Sequence, residues 1–213
     1  MITNREKLIH QLTDELKEVT PFNPIKATVT WLLMAFTVTS FAFLVIGPFR
    51  DGSLHQLTIS PQFLSESLFG LLMIILLAYL SFYIAIPSAK KMMTTLVLPL
   101  VFLCIWILFY VEGLSHPALE ASISNERHAC WAEVVIVGTA LMLVSLLWVK
   151  RLYPTMPKRN GMLVGLVSGS VPALLMQFAC MYEPEHILKF HILPGLLVGL
   201  FGVAAGMVIL KTK

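Results

Sequence analysis

The sequence predicts an all-α integral membrane protein with six transmembrane helices, both termini cytoplasmic, and a short amphipathic helix ahead of the first span. Three observations predict it. Hydrophobic residues fill 57% of the 213 positions and charged residues only 13%, and mean hydropathy is +0.82, so a soluble domain of this chain would expose too much apolar surface. Six apolar stretches approach the about 20 residues a helix needs to cross the hydrocarbon core. Lys and Arg collect in alternate connections between those stretches, as the positive-inside bias requires. The net charge of +3 is too small to point to nucleic acid.

Residues 1–26 are mostly polar and carry both charge signs, so they read as a cytoplasmic segment rather than a cleavable signal peptide. Within them residues 3–19 predict an amphipathic helix. Leu8, Leu12 and Leu16 recur every four residues with Ile9 and Val19 beside them, and Thr3-x-x-Glu6 resembles a capping box. Pro21 and Pro24 end it. The opposite face mixes Glu6, Lys7, Asp14, Glu15 and Lys17, which leaves open both a protein groove and a membrane surface as the partner of the leucine face.

The transmembrane domain is residues 27–213, with spans at roughly 27–48, 68–87, 92–113, 130–149, 161–182 and 192–210. Arg5, Lys7, Lys17 and Lys26 precede the first span, Lys90 and Lys91 fill the second connection, Lys150, Arg151, Lys158 and Arg159 the fourth, and Lys211 and Lys213 close the chain. The other face has only Arg50, Arg127 and Lys189. The first set is therefore cytoplasmic.

The outer connections are then residues 49–67, 114–129 and 183–191, and they hold His55, His116, His128, His186 and His191. Cys130 opens the fourth span from outside and Cys180 closes the fifth at the same surface. A short inner loop makes these spans antiparallel neighbours, so their outer ends come close enough for a disulfide to be feasible. Three readings stay open: a permanent bridge, a switchable or metal-binding thiol pair, and two packing residues. At a helix N-terminus, with Arg127 and His128 beside it, Cys130 is expected to be the more reactive thiol. Cys130, Cys180 and Met181 with the imidazoles of His128, His186 and His191 are a soft donor set suited to Cu(I), Zn or a heavier thiophilic ion. The chain has no CxxC or HExxH. Glu133, one turn inside Cys130, is a candidate neighbour supporting the cysteine site. Cys104, in mid-span, is expected to be a buried apolar filler. Gly161, Gly165 and Gly169, and then Gly195, Gly199, Gly202 and Gly206, predict close packing of the last two spans.

Arg127-His-Ala-Cys130-Trp131, then Arg151-x-x-Pro154-x-x-Pro157-x-x-x-Gly161 with Gly165 and Gly169, then Cys180 followed by Glu183 and His191, resemble the NrsF family of bacterial membrane anti-sigma factors. The family often has His before the second cysteine and Pro after it; here Ala179 and Met181 stand there. The resemblance implies a multi-pass protein of the bacterial inner membrane, not an enzyme. Its short cytoplasmic N-terminus would hold an extracytoplasmic-function sigma factor, on the face of Leu8, Ile9, Leu12 and Leu16. It also implies that Cys130 and Cys180 face the periplasm and bring about release on meeting metal or oxidative stress. Two other classes remain open at this point: a small transporter or channel, for which the span centres offer few polar groups beyond Ser and Thr, and a membrane thiol oxidoreductase, which would need a quinone or a partner disulfide.

Overall fold

The computed structural model describes residues 4–14, 21–87, 92–119 and 127–211, and every regular element among them is helical. Helix α1 runs Asn4–Asp14, with Leu8, Ile9 and Leu12 all exposed. Thr3, Leu16 and Val19, which the sequence places on the same helix, lie outside the described residues.

Helix starts follow a common local chemistry. The Asn23 side chain accepts a hydrogen bond from the Lys26 backbone N–H at 3.1 Å, and Pro24 opens α2 (Pro24–Ile46). Ser60 does the same for the Phe63 N–H at 3.3 Å, and Pro61 opens α4 (Pro61–Tyr83). In each case a side-chain oxygen satisfies a free amide and proline supplies a helical φ without needing a donor.

The second span starts earlier than expected, and the outer connection before it is not a loop. Residues Ser53–Ile59 form α3, and α4 already includes Glu66. Hydropathy alone puts an acid outside the span. Here Tyr182 Oη donates to Glu66 Oε2 and Oε1 at 2.9 and 3.0 Å, and Gln62 Nε2 donates to Oε1 at 3.3 Å. A carboxylate so supplied with donors can be fully buried.

Helix α5 spans Met92–Gly113. Its buried positions Pro99, Trp106, Tyr110 and Gly113 fall on one face, and Cys104 falls on another. Cys104 is therefore exposed on the outside of the bundle, and the expectation of a buried filler is corrected. Helices α6 (Cys130–Lys150) and α7 (Pro157–Ala179) follow. The expected loop at 183–191 is helical instead: α8 (Pro184–Ile187) runs through a π turn, Leu188–Ile192, into α9 (Leu193–Ile209). The cause is Pro194. It has no N–H to give the Phe190 carbonyl and its ring crowds that carbonyl, so the ladder widens by one residue and Leu193 N–H bonds Leu188 O.

Five helices are long and apolar enough to cross a membrane: Pro24–Ile46, Pro61–Tyr83, Cys130–Lys150, Pro157–Ala179 and Pro184–Ile209. The described apolar part of α5, Val97–Gly113, is shorter. These features mark a multi-pass membrane protein. Helix α7 is its centre, with 78% of its most apolar stretch inside the bundle, whereas α2 is peripheral at 22%. Helix α9 lies along α7 on the glycine seam. A Cβ on Gly169 would sit 2.1 Å from Gly195 O, and one on Gly161 2.2 Å from Gly202 O, so only glycine lets these backbones meet. Trp31 Nε1 donates to Ser145 Oγ at 2.6 Å and ties α2 to α6.

Candidate functional site

At one end of the bundle four elements converge. Cys130 is the first residue of α6, Cys180 follows the last residue of α7, His186 sits on α8, and His191 lies in the π turn. One donor atom from each lies within 4.8 Å of all the others. Both thiols are free. His186 Nε2 bridges them, 3.3 Å from Cys130 Sγ and 3.5 Å from Cys180 Sγ.

The π turn explains why two histidines five residues apart serve one site. In an uninterrupted α-helix they would point about 140° apart. The extra residue in the turn brings the rings to 5.1 Å between centroids. His191 is completely buried, and neither ring nitrogen makes a hydrogen bond of good geometry among the described residues, its nearest polar neighbour being the Cys180 thiol. An imidazole in that position is strongly disfavoured unless something takes its lone pair or its proton. Two sulfurs and two imidazoles are a familiar set for a tetrahedral soft or borderline ion. The residues fit such an ion in type, number and burial, and the side chains form a possible metal-binding cluster.

The electrostatics favour a thiolate at Cys180 and not at Cys130, whose proton its hydrogen bond to Cys180 and burial hold in place, so the expectation that Cys130 is the more reactive thiol is corrected. Cys180 is held well below the usual thiol range, first by the hydrogen bond from Cys130 and then by His186, against the cost of burial. The Arg127 charge that sequence reasoning assigned to Cys130 is used elsewhere. Arg127 Nη1 pairs with Glu133 at 2.8 Å, Nε donates to Ala179 O at 3.2 Å, and Nη2 donates to Gly47 O, Pro48 O and Phe43 O at 2.7, 2.9 and 3.2 Å. Glu133 is thus the carboxylate that orients Arg127.

Arg50 lies behind Cys180 and is 3% exposed. Its N–H bonds Phe178 O at 3.0 Å, Nη2 reaches Gln177 O at 3.4 Å, and its guanidinium lies over the Tyr182 ring at 5.8 Å. Burial lowers the Arg50 pKa, opposed by Tyr182 and Cys180, and burial raises that of Tyr182.

Of the residues the sequence proposes, the structure gathers Cys130, Cys180, His186 and His191. His128 is exposed, and Met181 is buried next to Cys180 in the chain. Sequence reasoning missed Arg50 and Tyr182 as neighbours of the cluster. Arg50 reads there only as an outer-face charge, and no local signal marks Tyr182.

A family model described as NrsF, negative regulator of sigma F, matches residues 12–211. No curated protein and no solved structure matches the chain.

Proposed function

The chain belongs to the NrsF family of negative regulators of sigma F, and from that premise we propose that it is a six-pass membrane anti-sigma factor, not an enzyme, whose thiols are its sensor. The N-terminal segment holds an extracytoplasmic-function sigma factor through Leu8, Ile9, Leu12 and Leu16. A thiophilic ion such as Cu, Zn or a heavier metal, or an oxidant, acts at Cys130 and Cys180 on the periplasmic side of the bacterial inner membrane, and sigma is released. Helix α5 makes the sixth crossing and both termini are cytoplasmic.

The observation that carries this reading is the buried set Cys130, Cys180, His186 and His191 within 4.8 Å in a chain of that family. The exposed leucine face of α1 supports the docking role, since an apolar stripe in water invites a groove. Tenfold release needs about 1.4 kcal/mol of differential affinity between the two states, within the reach of a single soft-metal site.

The test is co-purification of detergent-solubilised protein with the host's extracytoplasmic-function sigma factors, with and without oxidant or Cd²⁺. Wild type should lose sigma on treatment, and the Cys130→Ser/Cys180→Ser variant should keep it. Absence of any bound sigma under all conditions would overturn the reading.

A further inference from the structure

We infer that Arg127 is the residue that couples the thiol–imidazole cluster to α2, the helix leading to the N-terminal segment; this rests on the cluster being the sensor. Arg127 is tied to both cysteines through the backbone. Cys130 N–H bonds Arg127 O at 3.4 Å, and Arg127 Nε bonds the carbonyl of Ala179, the residue before Cys180. Its Nη2 holds three carbonyls at the outer end of α2, those of Phe43, Gly47 and Pro48. One planar fork therefore spans the sensor and the end of a helix, and the Glu133 carboxylate fixes its orientation.

The geometry makes the tie sensitive. Four ligands around one ion at about 2.0–2.3 Å lie about 3.3–3.8 Å from one another, whereas the donor atoms of the cluster spread to 4.8 Å. Capture of an ion closes the cluster by up to about 1 Å, and a disulfide would close the two sulfurs further, to about 2.05 Å. His186 already stands 3.3 and 3.5 Å from the two sulfurs, so metal capture asks for a small adjustment there and a disulfide for a larger one; whatever part of it reaches the backbone beside the cysteines reaches Arg127. Its bonds to Phe43 O and Ala179 O stand at 3.2 Å, and hydrogen bonds weaken steeply once stretched by a few tenths of an ångström more. Helix α2 is also the least buried of the five apolar helices. It has the fewest packing contacts to resist a change at its clamped end, so a shift of about 1–2 Å is the expected response.

The experiment uses the full chain in detergent, with genetically encoded non-cysteine spin labels replacing Val45 on α2 and Leu200 on α9, both exposed. Cd²⁺ is the probe, and its binding is followed by thiolate–metal absorbance. Wild type should bind one ion and change its interlabel distance by about 1–2 Å. Arg127→Gln should bind the ion with the same stoichiometry and show no change. Arg127→Lys keeps the charge for Glu133 but not the fork, and should show less than half the wild-type change; it carries the test if Arg127→Gln does not insert. A full shift in the variants, or none in wild type with Cd²⁺ bound, overturns the coupling role. Failure of wild type to bind Cd²⁺ overturns the metal site beneath it, and the coupling argument falls with that site.

Discussion

A single methyl group on the glycine seam should disable the sensor at a distance. In Gly169→Ala the new Cβ would lie 2.1 Å from Gly195 O and 2.9 Å from Gly195 C, backbone atoms that cannot rotate away, whereas ordinary contact begins at 3.4 Å. Helix α9 must retreat by about 1 Å at Gly195, one turn beyond His191. Ligand distances tolerate only about 0.2 Å, so His191 leaves the reach of an ion held by Cys130, Cys180 and His186. Affinity for Cd²⁺ should fall about tenfold or more, on the scale of losing an orienting contact. Overpacking should cost about 1–3 kcal/mol, or roughly 2–12 °C in Tm for a chain of this size. The control is Gly199→Ala, whose Cβ meets the side chain of Leu166, Cδ2 at 2.5 Å and Cγ at 2.8 Å, which can move away by turning about χ1, whereas its backbone stays at 3.5 Å. Metal competition with a chromophoric chelator and thermal unfolding by circular dichroism, both in detergent, read the two effects. Equal behaviour of the two variants, or wild-type affinity in Gly169→Ala, would refute the reasoning.

Other expectations follow from the same geometry. Pro194→Ala restores the missing N–H, lets the π turn relax toward an α-helix and rotates His191 away from His186; Cd²⁺ affinity should drop about tenfold or more with every ligand intact, measured by the same competition. Cys130→Ala removes the proton donor to Cys180, so the Cys180 pKa should rise relative to wild type, while Cys130→Ser keeps a hydroxyl donor and should lie between; the pH profile of alkylation at Cys180, in a Cys104→Ser background, reads this. With the pKa lowered in wild type, alkylation there should persist to lower pH than in Cys130→Ala. Leu12→Asp places a charge on the exposed apolar face of α1 and should abolish sigma co-purification with membrane insertion unchanged.

Composition and hydropathy made the helical membrane class legible, because about 20 apolar residues in a row have few other uses. The packing of α7 on α9 was legible too, since glycines every three or four residues on both helices leave a surface only another backbone can fill. Hydropathy failed wherever a polar group is satisfied by a distant partner. Glu66 was placed in a loop because nothing near it in sequence announces Tyr182, 116 residues away. Cys104 was misassigned because a uniformly apolar helix has no polar face to reveal which side meets its neighbours. Half of the four-residue cluster came from the cysteine positions. His186 and His191 were named, but as loop residues, because a π turn depends on how Pro194 disturbs the ladder rather than on hydropathy. Arg127 was read as a positive charge near Cys130, when its geometry makes it a connector.

The burial of the cluster also decides what can speak to it and what can silence it. Cys130 is 2% exposed, and Cys180 and His191 are not exposed at all; only His186 is partly open. With three of the four ligands buried, an ion or a small oxidant reaches the cluster with less rearrangement than a tripeptide thiol or the active site of a reductase needs. Burial that favours small callers also slows bulky reductants in undoing the reaction. A molecule once triggered should stay triggered until its ligands loosen or a new copy replaces it, so a brief exposure would leave a record that outlasts the exposure.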